Sequence, residues 1–111
     1  TIAGNGEYLT FIIGVLNIED HILPQELILF PAYPNPLNPI TTIKFGIPEA
    51  AHVALEIYDI NGRTIDKLIN NYLNSGYHQI NWNVGSHSSG LYFSRLQAGK
   101  EVIIQKLIVL K

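Results

Sequence analysis

Histidine is the side chain best suited to chemistry near neutral pH, and this chain of 111 residues has four of them. A zinc site takes its ligands from histidine, cysteine and carboxylates, often with two ligands about three to five residues apart. No two of the histidines have that spacing; they are His21, His52, His78 and His87. Because the chain has no cysteine, disulfides and thiolate metal sites are excluded. We predict surface or partly packed histidines, with no metal and no cofactor.

A nucleophilic site is the second possibility. Hydroxyls and an imidazole occur together in the run Ser86-His87-Ser88-Ser89. A catalytic serine, histidine and aspartate must converge in space, and adjacent residues of one loop rarely do so. We therefore predict no catalytic residue and no enzymatic activity.

Three carboxylates, Glu56, Asp59 and Asp66, flank a predicted turn at Asn61-Gly62. Paired acids do acid–base work only in a cleft, and Glu56 alternates with apolar residues in a way that directs it to water. Asp59, beside the turn, is expected to accept hydrogen bonds from backbone N–H groups. Asp59 and Asn61 would hold calcium if a third oxygen ligand approached, so this alternative stays open.

Aromatic side chains offer a platform on which sugar rings could stack. Such a platform needs two or three exposed rings on one face. Trp82 alternates with asparagines, as a core residue of a strand does, whereas Tyr33, Tyr72 and Tyr77 are predicted to be free. A carbohydrate-binding module therefore remains an alternative.

The composition is that of one packed domain. Hydrophobic residues make up 47% of the chain and charged residues 14%, and this low charged fraction argues against disorder. The formal net charge is −2, which does not favour nucleic acid as a partner. The apolar run Leu9–Leu16 is too short to cross a bilayer, so we predict no transmembrane segment.

The first 26 residues differ from the rest, since they hold four acids and no base, whereas all seven bases lie in residues 41–111. Within them, Glu7–Ile18 is rich in β-branched and aromatic residues and is predicted to form an extra strand. We predict an N-terminal strand and linker over 1–26, either the end of a preceding cargo domain or a strand exchanged with a neighbour. A single domain is predicted over 27–111. The chain starts at Thr1 and lacks methionine, so we expect it to be processed or part of a longer protein.

A proline-rich elbow opens this domain. Its residues are Tyr33, Pro34, Asn35, Pro36, Asn38 and Pro39. Each proline fixes its own φ and lacks an N–H, and it forces the preceding residue out of the helical region. The asparagines can close local turns. We predict a rigid, turned segment that is not a central strand.

Short alternating segments and turn signals surround and follow the elbow. Strands are predicted over 27–30, 41–47, 53–58, 63–69, 80–84, 91–97 and 101–110. Asn61-Gly62 is predicted to form a two-residue type I′ hairpin, although Ile65, Leu68 and Ile69 also fit a helix. About seven strands at such short intervals predict an all-β fold, an antiparallel sandwich.

The last strand, Val102–Leu110, is apolar on both faces and only Gln105 and Lys106 interrupt it. Such a pattern is typical of a central strand covered on both sides. The alternative is a strand that a partner recognises at its edge or end.

Several segments, taken in order, resemble one family. The elbow with Thr41-Thr42-Ile43-Lys44-Phe45 resembles the opening of the type A C-terminal sorting domains of type IX secretion, and flagellar hook-capping proteins carry a similar module. The likeness continues through 55–63, 76–82, 89–96 and 106–111, and it covers Leu27–Lys111 in all. Leu37 departs from the pattern, because the family usually has phenylalanine there.

The resemblance implies an immunoglobulin-like fold without catalysis. It places a sorting signal in two stretches, Ser89, Gly90, Leu91, Tyr92 and Phe93, then Lys106, Leu107, Ile108, Val109, Leu110 and Lys111. The implied partners are the secretion translocon and a sortase. The implied location is secreted, or on the cell surface of a Gram-negative-type bacterium, reached through the periplasm.

A structural role is the alternative to sorting. An unpaired apolar strand at Glu7–Ile18 has an edge to satisfy, and it could insert into a neighbour's sheet. Head-to-tail repetition of that contact would make a surface filament.

Overall fold

The structure is a computed structural model and describes residues 23–111. The predicted strand Glu7–Ile18 and His21 lie outside the described residues, and the domain boundary near residue 26 stays a prediction. Seven strands make up the secondary structure of the described range: β1 (Ile28–Leu29), β2 (Ile40–Ile47), β3 (Ala51–Tyr58), β4 (Thr64–Leu73), β5 (Gly76–Asn83), β6 (Gly90–Ala98) and β7 (Glu101–Val109). The helical alternative at residues 65–69 is wrong, because they lie in β4.

The strands form two sheets, with the orders β1-β2-β5 and β4-β3-β6-β7. Every pair of neighbouring strands is antiparallel. The predicted all-β, antiparallel, immunoglobulin-like sandwich of about seven strands is therefore confirmed. No helix in residues 23–111 combines the length and hydrophobicity needed to cross a bilayer.

The core lies between the two sheets and follows the alternation of the sequence. In β3, Val53, Leu55 and Ile57 are fully buried, while the residues between them are half-buried. The largest buried side chains of the facing sheet are Phe45 and Trp82. Period-two alternation thus directs one face of each sheet into a common apolar layer.

The turn between β3 and β4 differs from its prediction. The Asp59 N–H donates to the Arg63 carbonyl at 2.9 Å, and the Gly62 N–H donates to the Asp59 carbonyl at 3.0 Å, so the loop comprises residues 60–62. Gly62 has φ +83°, as expected where a type I turn is followed by a left-handed residue and a bulge. Asn61 and Gly62 lie in the turn, but the two-residue type I′ form is wrong.

The last strand, β7, is an edge strand, because only β6 neighbours it in the sheet. The prediction of a central strand covered on both sides is wrong. Leu107 and Val109 are fully buried, but Val102 is 40% exposed and Ile104 is 60% exposed. The strand therefore has one buried face and one face that is largely open.

The two ends of the sandwich carry different groups. One end, which we call the elbow end, holds the β3–β4 turn, the loop 84–89 and the C-terminus, since Gly90 at the start of β6 pairs with Val109 at the end of β7. At the opposite end, Leu27 and the turn residues Gly99 and Lys100 line one small hollow. The chain therefore enters the sandwich at the end remote from its C-terminus.

Candidate functional site

The elbow lies along the C-terminal half of β7 and is hydrogen-bonded to it. The Leu37 N–H donates to the Ile108 carbonyl at 2.8 Å, and the Leu110 N–H donates to the Leu37 carbonyl at 3.0 Å. Asn35 Nδ2 donates to the Lys106 carbonyl at 3.0 Å, and Asn35 Oδ1 accepts from the Ile108 N–H at 3.0 Å. Two segments some seventy positions apart in sequence are thus joined into one ladder.

The alternation of proline and asparagine explains how this ladder forms. Pro34, Pro36 and Pro39 have no N–H to donate, so the backbone of the elbow cannot pair continuously. It makes only isolated bridges, at Tyr33 and Leu37. The Asn35 amide supplies a donor and an acceptor where a strand would offer its peptide groups.

Gln105 extends the seam toward the start of the elbow. Its Nε2 donates to the Phe30 carbonyl at 3.1 Å, and its Oε1 accepts from the Ala32 N–H. These bonds join β7 of one sheet to the chain that leaves β1 of the other. The sequence analysis did not predict this role of Gln105. Its signal is a polar residue at position 105 between the apolar, inward-facing positions 103 and 107.

The C-terminus is fixed to the start of β6. The Lys111 N–H donates to Ser89 Oγ at 2.9 Å, and Lys111 Nζ donates to the Gly85 carbonyl at 2.8 Å. In the ladder between the strands, Leu91 pairs with Ile108 and Phe93 with Lys106. The structure therefore brings together the two stretches in which the sequence placed a sorting signal.

Burial divides the residues of these two stretches into three groups. Tyr92, Leu107 and Val109 are buried in the core, so they support the fold rather than a surface. Half-buried positions are Leu91, Phe93 and Ile108. The exposed positions are Ser89, Gly90, Lys106, Leu110 and Lys111.

The elbow contributes a second exposed set at the same end. Tyr33 is 81% exposed, and Pro34, Asn35, Pro36, Asn38 and Pro39 are exposed as well. Leu37 is the exception, because it is fully buried and anchors the elbow in the core. The Val84 N–H donates to the Pro39 carbonyl at 2.8 Å, which joins the elbow to the loop 84–89.

A groove of about 540 Å³ separates the β3–β4 turn from the loop 84–89, and Asn61, His87 and Ser88 are among its lining residues. His87 Nε2 lies 3.8 Å from Asp66 Oδ2, an oxygen that also accepts from Trp82 Nε1 at 2.7 Å. Among residues 23–111, no hydrogen bond joins the His87 ring to a serine hydroxyl. The groove thus has an acid beside a histidine but no assembled nucleophile.

Asp59 uses its carboxylate to close the β3–β4 turn. Oδ1 accepts from the N–H groups of Asn61 and Arg63 at 2.9 and 3.0 Å, and Oδ2 lies 2.8 Å from Arg63 Nε. These bonds, above all the one from the Arg63 backbone N–H, lower the pKa of Asp59 below its ordinary value. The carboxylate therefore serves the turn, and the part of the chain that is described holds no group of three or more possible metal ligands.

The other candidate groups are dispersed. His52 is exposed, and His78 bonds the Asn74 carbonyl at 2.9 Å while it stacks on Phe45. Trp82 is buried against Tyr92, as its alternation predicted.

The three tyrosines predicted to be free are exposed, but they do not share one face. Tyr33 is 81%, Tyr72 68% and Tyr77 38% exposed. Tyr72 lies in β4 of the four-stranded sheet and Tyr77 in β5 of the three-stranded sheet. Because these two rings are on opposite outer faces of the sandwich, they make no common platform.

The fold is that of a small immunoglobulin-like domain. The model of the family described as the secretion system C-terminal sorting domain matches residues 31–110, and the chain belongs to this family. A search of curated proteins finds no match. The match begins just before the elbow and ends at the residue after β7. It supports a sorting signal of type IX secretion, an interaction with the secretion machinery and a location outside the cell or on its surface; the family is not a catalytic one.

Proposed function

We propose that residues 27–111 are a folded address that the outer-membrane translocon of type IX secretion recognises at the elbow end. One observation carries the proposal. The elbow, the loop 84–89 and the last residues of β7 are joined by hydrogen bonds into one exposed surface. The translocon would then contact a surface that exists only in the folded domain.

The position of Leu27, at the start of the sandwich, supports this assignment. Leu27 lies beside the β6–β7 turn, at the end opposite the elbow. A cargo preceding the domain would therefore leave the elbow end free for the translocon. We propose that a sortase afterwards separates the domain from the cargo, which reaches the surface of a Gram-negative-type cell through the periplasm.

The proposed contact residues are the exposed members of the signal and of the elbow. They are Ser89, Gly90, Lys106, Leu110 and Lys111 with Tyr33, Asn35 and Asn38. The buried members, such as Leu107 and Val109, hold these residues in place. The family resemblance alone does not distinguish the residues that contact the translocon from those that hold them in place.

A reporter fusion tests the proposal. Residues 27–111 would be fused to the C-terminus of a fluorescent protein and produced in a bacterium with type IX secretion. We expect fluorescence outside the cell or on its surface. Retention of the intact fusion inside the cell or in the periplasm would contradict the proposal.

A matched pair of variants makes the test specific to the elbow end. Tyr33→Ala removes an exposed ring there, and Tyr72→Ala removes a ring of similar exposure on β4, away from that end. Both variants should fold, because neither ring is buried. We expect export to fall for Tyr33→Ala and to be unchanged for Tyr72→Ala, and equal export of the two would refute recognition at the elbow.

The alternatives make different demands on the surface. A carbohydrate-binding module needs neighbouring exposed rings, and the separation of Tyr72 from Tyr77 disfavours it. A filament built by donation of the strand Glu7–Ile18 needs an acceptor edge. The outward backbone groups of Val102 and Ile104 have no partner among residues 23–111, so this open edge of β7 is one. Pull-down on insoluble polysaccharide tests the first alternative, and solution mass as a function of concentration tests the second.

A further inference from the structure

The groove between the β3–β4 turn and the loop 84–89 has the size and the mixed lining of a ligand site. Its volume is about 540 Å³, within the range of about 300–1,000 Å³ that binding pockets occupy. Apolar side chains, among them Ile65 and Leu91, and polar ones, among them Arg63 and Ser88, line it together. The groove therefore suits a ligand that is partly apolar and partly polar.

The strongest hydrogen-bonding group that stays open in the groove is the guanidinium of Arg63. Its Nε lies 2.8 Å from Asp59 Oδ2, and its side chain is 76% exposed. Its two Nη groups bond nothing among residues 23–111. The outer nitrogens of a guanidinium are donors in a fixed, planar arrangement, so Arg63 presents a preformed donor pair to the groove.

The acids beside the groove already have partners. Asp59 accepts from two backbone N–H groups of the turn and from Arg63 Nε, and its side chain is only 13% exposed. Asp66 Oδ2 accepts from Trp82 Nε1 at 2.7 Å. An arginine binds a single carboxylate through two parallel hydrogen bonds. A doubly charged phosphate would be repelled more strongly by the two acids, so a carboxylate is the better ligand.

An apolar hollow lies on the other side of the same turn. It has a volume of about 320 Å³, and Tyr58, Phe93 and Ile104 are among its lining residues. Ile60, in the turn and 71% exposed, lines both the hollow and the groove. A ligand that crosses Ile60 would place an apolar group in the hollow while its carboxylate bonds Arg63. An acidic residue with an apolar neighbour in a peptide has both features.

On the basis of the proposed function, we propose that the groove binds an acidic residue of the translocon, on a peptide segment whose apolar neighbour enters the hollow. A sugar ligand is disfavoured. Tyr92, the tyrosine of the groove lining, is only 6% exposed, and its hydroxyl donates to the Ser88 carbonyl at 2.6 Å. Its ring therefore has no free face on which a sugar could stack.

Export of the full chain of residues 1–111, fused after a fluorescent protein, tests the role of Arg63. Arg63→Gln removes the cation from the groove, and Lys100→Gln makes the same change of charge at the exposed β6–β7 turn, at the opposite end of the sandwich. We expect export to fall several-fold for Arg63→Gln and to be unchanged for Lys100→Gln. Equal export of the two variants, with the natural chain exported, would overturn the acidic ligand.

Ser88→Asp and Ser86→Asp repeat the test without changing the turn. Both serines are exposed in the loop 84–89, and neither hydroxyl makes a hydrogen bond within residues 23–111, but only Ser88 lines the groove. A carboxylate at position 88 would compete for Arg63 and repel an acid of the partner. We expect a several-fold loss of export for Ser88→Asp and a smaller one for Ser86→Asp. Equal export of these two chains would contradict the proposal.

Binding to outer-membrane fragments separates an error in the acidic ligand from an error in the proposed function. The fragments would come from a bacterium with type IX secretion and from a strain without it. Raising sodium chloride from about 0.1 M to about 1 M shortens the screening length from about 10 Å to about 3 Å. We therefore expect the natural chain to lose affinity more steeply than Arg63→Gln.

The two errors give different results. Equal binding of the natural chain to both kinds of fragment would contradict recognition by the translocon altogether. Stronger binding to the fragments with the secretion system, but with the same salt dependence for the natural chain and Arg63→Gln, would contradict the acidic ligand alone.

Discussion

Asn35 shows how a single side chain at the surface can decide the shape of a domain end. Its amide group bonds both the carbonyl of Lys106 and the N–H of Ile108. Neighbouring prolines cannot supply such donors. At the residue scale, the Asn35 side-chain amide therefore makes the two hydrogen bonds to β7 that a backbone peptide group would make in a paired strand.

Asn35→Ala tests this dependence. It removes both bonds and leaves Lys106 and Ile108 to find water, so we expect the free energy of unfolding to fall by about 1–2 kcal/mol. Urea denaturation measures it. Asn70→Ala, at an exposed asparagine of β4 without a side-chain hydrogen bond to the described residues, is the control and should change little. Similar losses for the two variants would show that Asn35 does not hold the elbow.

Asp59 gives the turn a dependence on pH. Its pKa is lowered in the folded protein from an ordinary value of 3.8, so between the unfolded and the folded pKa the unfolded chain binds more protons than the folded one. The stability that Asp59 contributes is present above its unfolded pKa and is lost as the pH falls through the folded pKa.

Asp59→Asn is the matched variant, because an amide oxygen can still accept from the backbone N–H groups of Asn61 and Arg63. We expect the unfolding free energy of the natural chain to fall more steeply than that of the variant as the pH drops below about 4. Urea titrations at a series of pH values measure this. Parallel curves would show that the ionised carboxylate adds nothing to the turn.

At the scale of elements, β7 joins the two sheets although it is paired in only one of them. Gln105 faces inward and bonds Phe30 and Ala32, and the elbow bonds the outer edge of the C-terminal half of β7. The last strand is therefore bonded both to the chain that leaves β1 and to the elbow.

Gln105→Ala should weaken this junction. The Phe30 carbonyl and the Ala32 N–H are part-buried in these bonds, so leaving them unpaired should cost about 2–3 kcal/mol. Thermal and urea unfolding measure the loss. Gln79→Ala, at an exposed position of β5, provides the comparison, and a loss no larger than in that variant would exclude a role for the Gln105 amide.

The strands themselves could be predicted because alternation is a local property. Val53, Leu55 and Ile57 identify their strand from three positions. The position of β7 at the edge of its sheet could not be predicted. Apolar residues on both faces of a strand do not indicate how many strands pair with it. The turn at Asn61-Gly62 was predicted in place but not in form, since the Asp59 carboxylate favours a longer loop.

The candidate site was predicted in its parts but not in its assembly. The proline–asparagine pattern and the family resemblance identified the elbow and the two stretches of the signal. That Asn35 bonds Lys106 and Ile108 depends on a contact across most of the chain, which no local pattern encodes. The groove near His87 was missed because Asp66 approaches it only in the folded structure.

At the scale of the whole molecule, attachment to a cargo and the proposed recognition by the translocon take place at opposite ends of the sandwich. The chain enters beside the β6–β7 turn, whereas the elbow, the loop 84–89 and Lys111 lie at the other end. A cargo joined before Leu27 and a receptor bound at the elbow end would therefore not collide. This polarity gives the proposed function a steric consequence.

A fluorescent protein fused after Lys111 should block export, whereas the same protein fused before Thr1 should be exported. The Lys111 N–H and Nζ keep their partners Ser89 and Gly85 in either fusion, so both domains should fold and melt alike. The difference would come from a bulky neighbour at the elbow end. Fluorescence in the medium and on intact cells, compared with total fluorescence, measures export.

A third chain with a short glycine–serine tail after Lys111 separates bulk from chemistry. The tail moves the carboxylate at the end of the fusion away from Lys111 but adds little volume, so we expect its export to match that of the N-terminal fusion. If the tail alone stops export, the translocon requires a carboxylate directly at Lys111. If the C-terminal fluorescent protein is exported as well as the N-terminal one, recognition does not occur at the elbow end, and the open edge of β7 becomes the next surface to test.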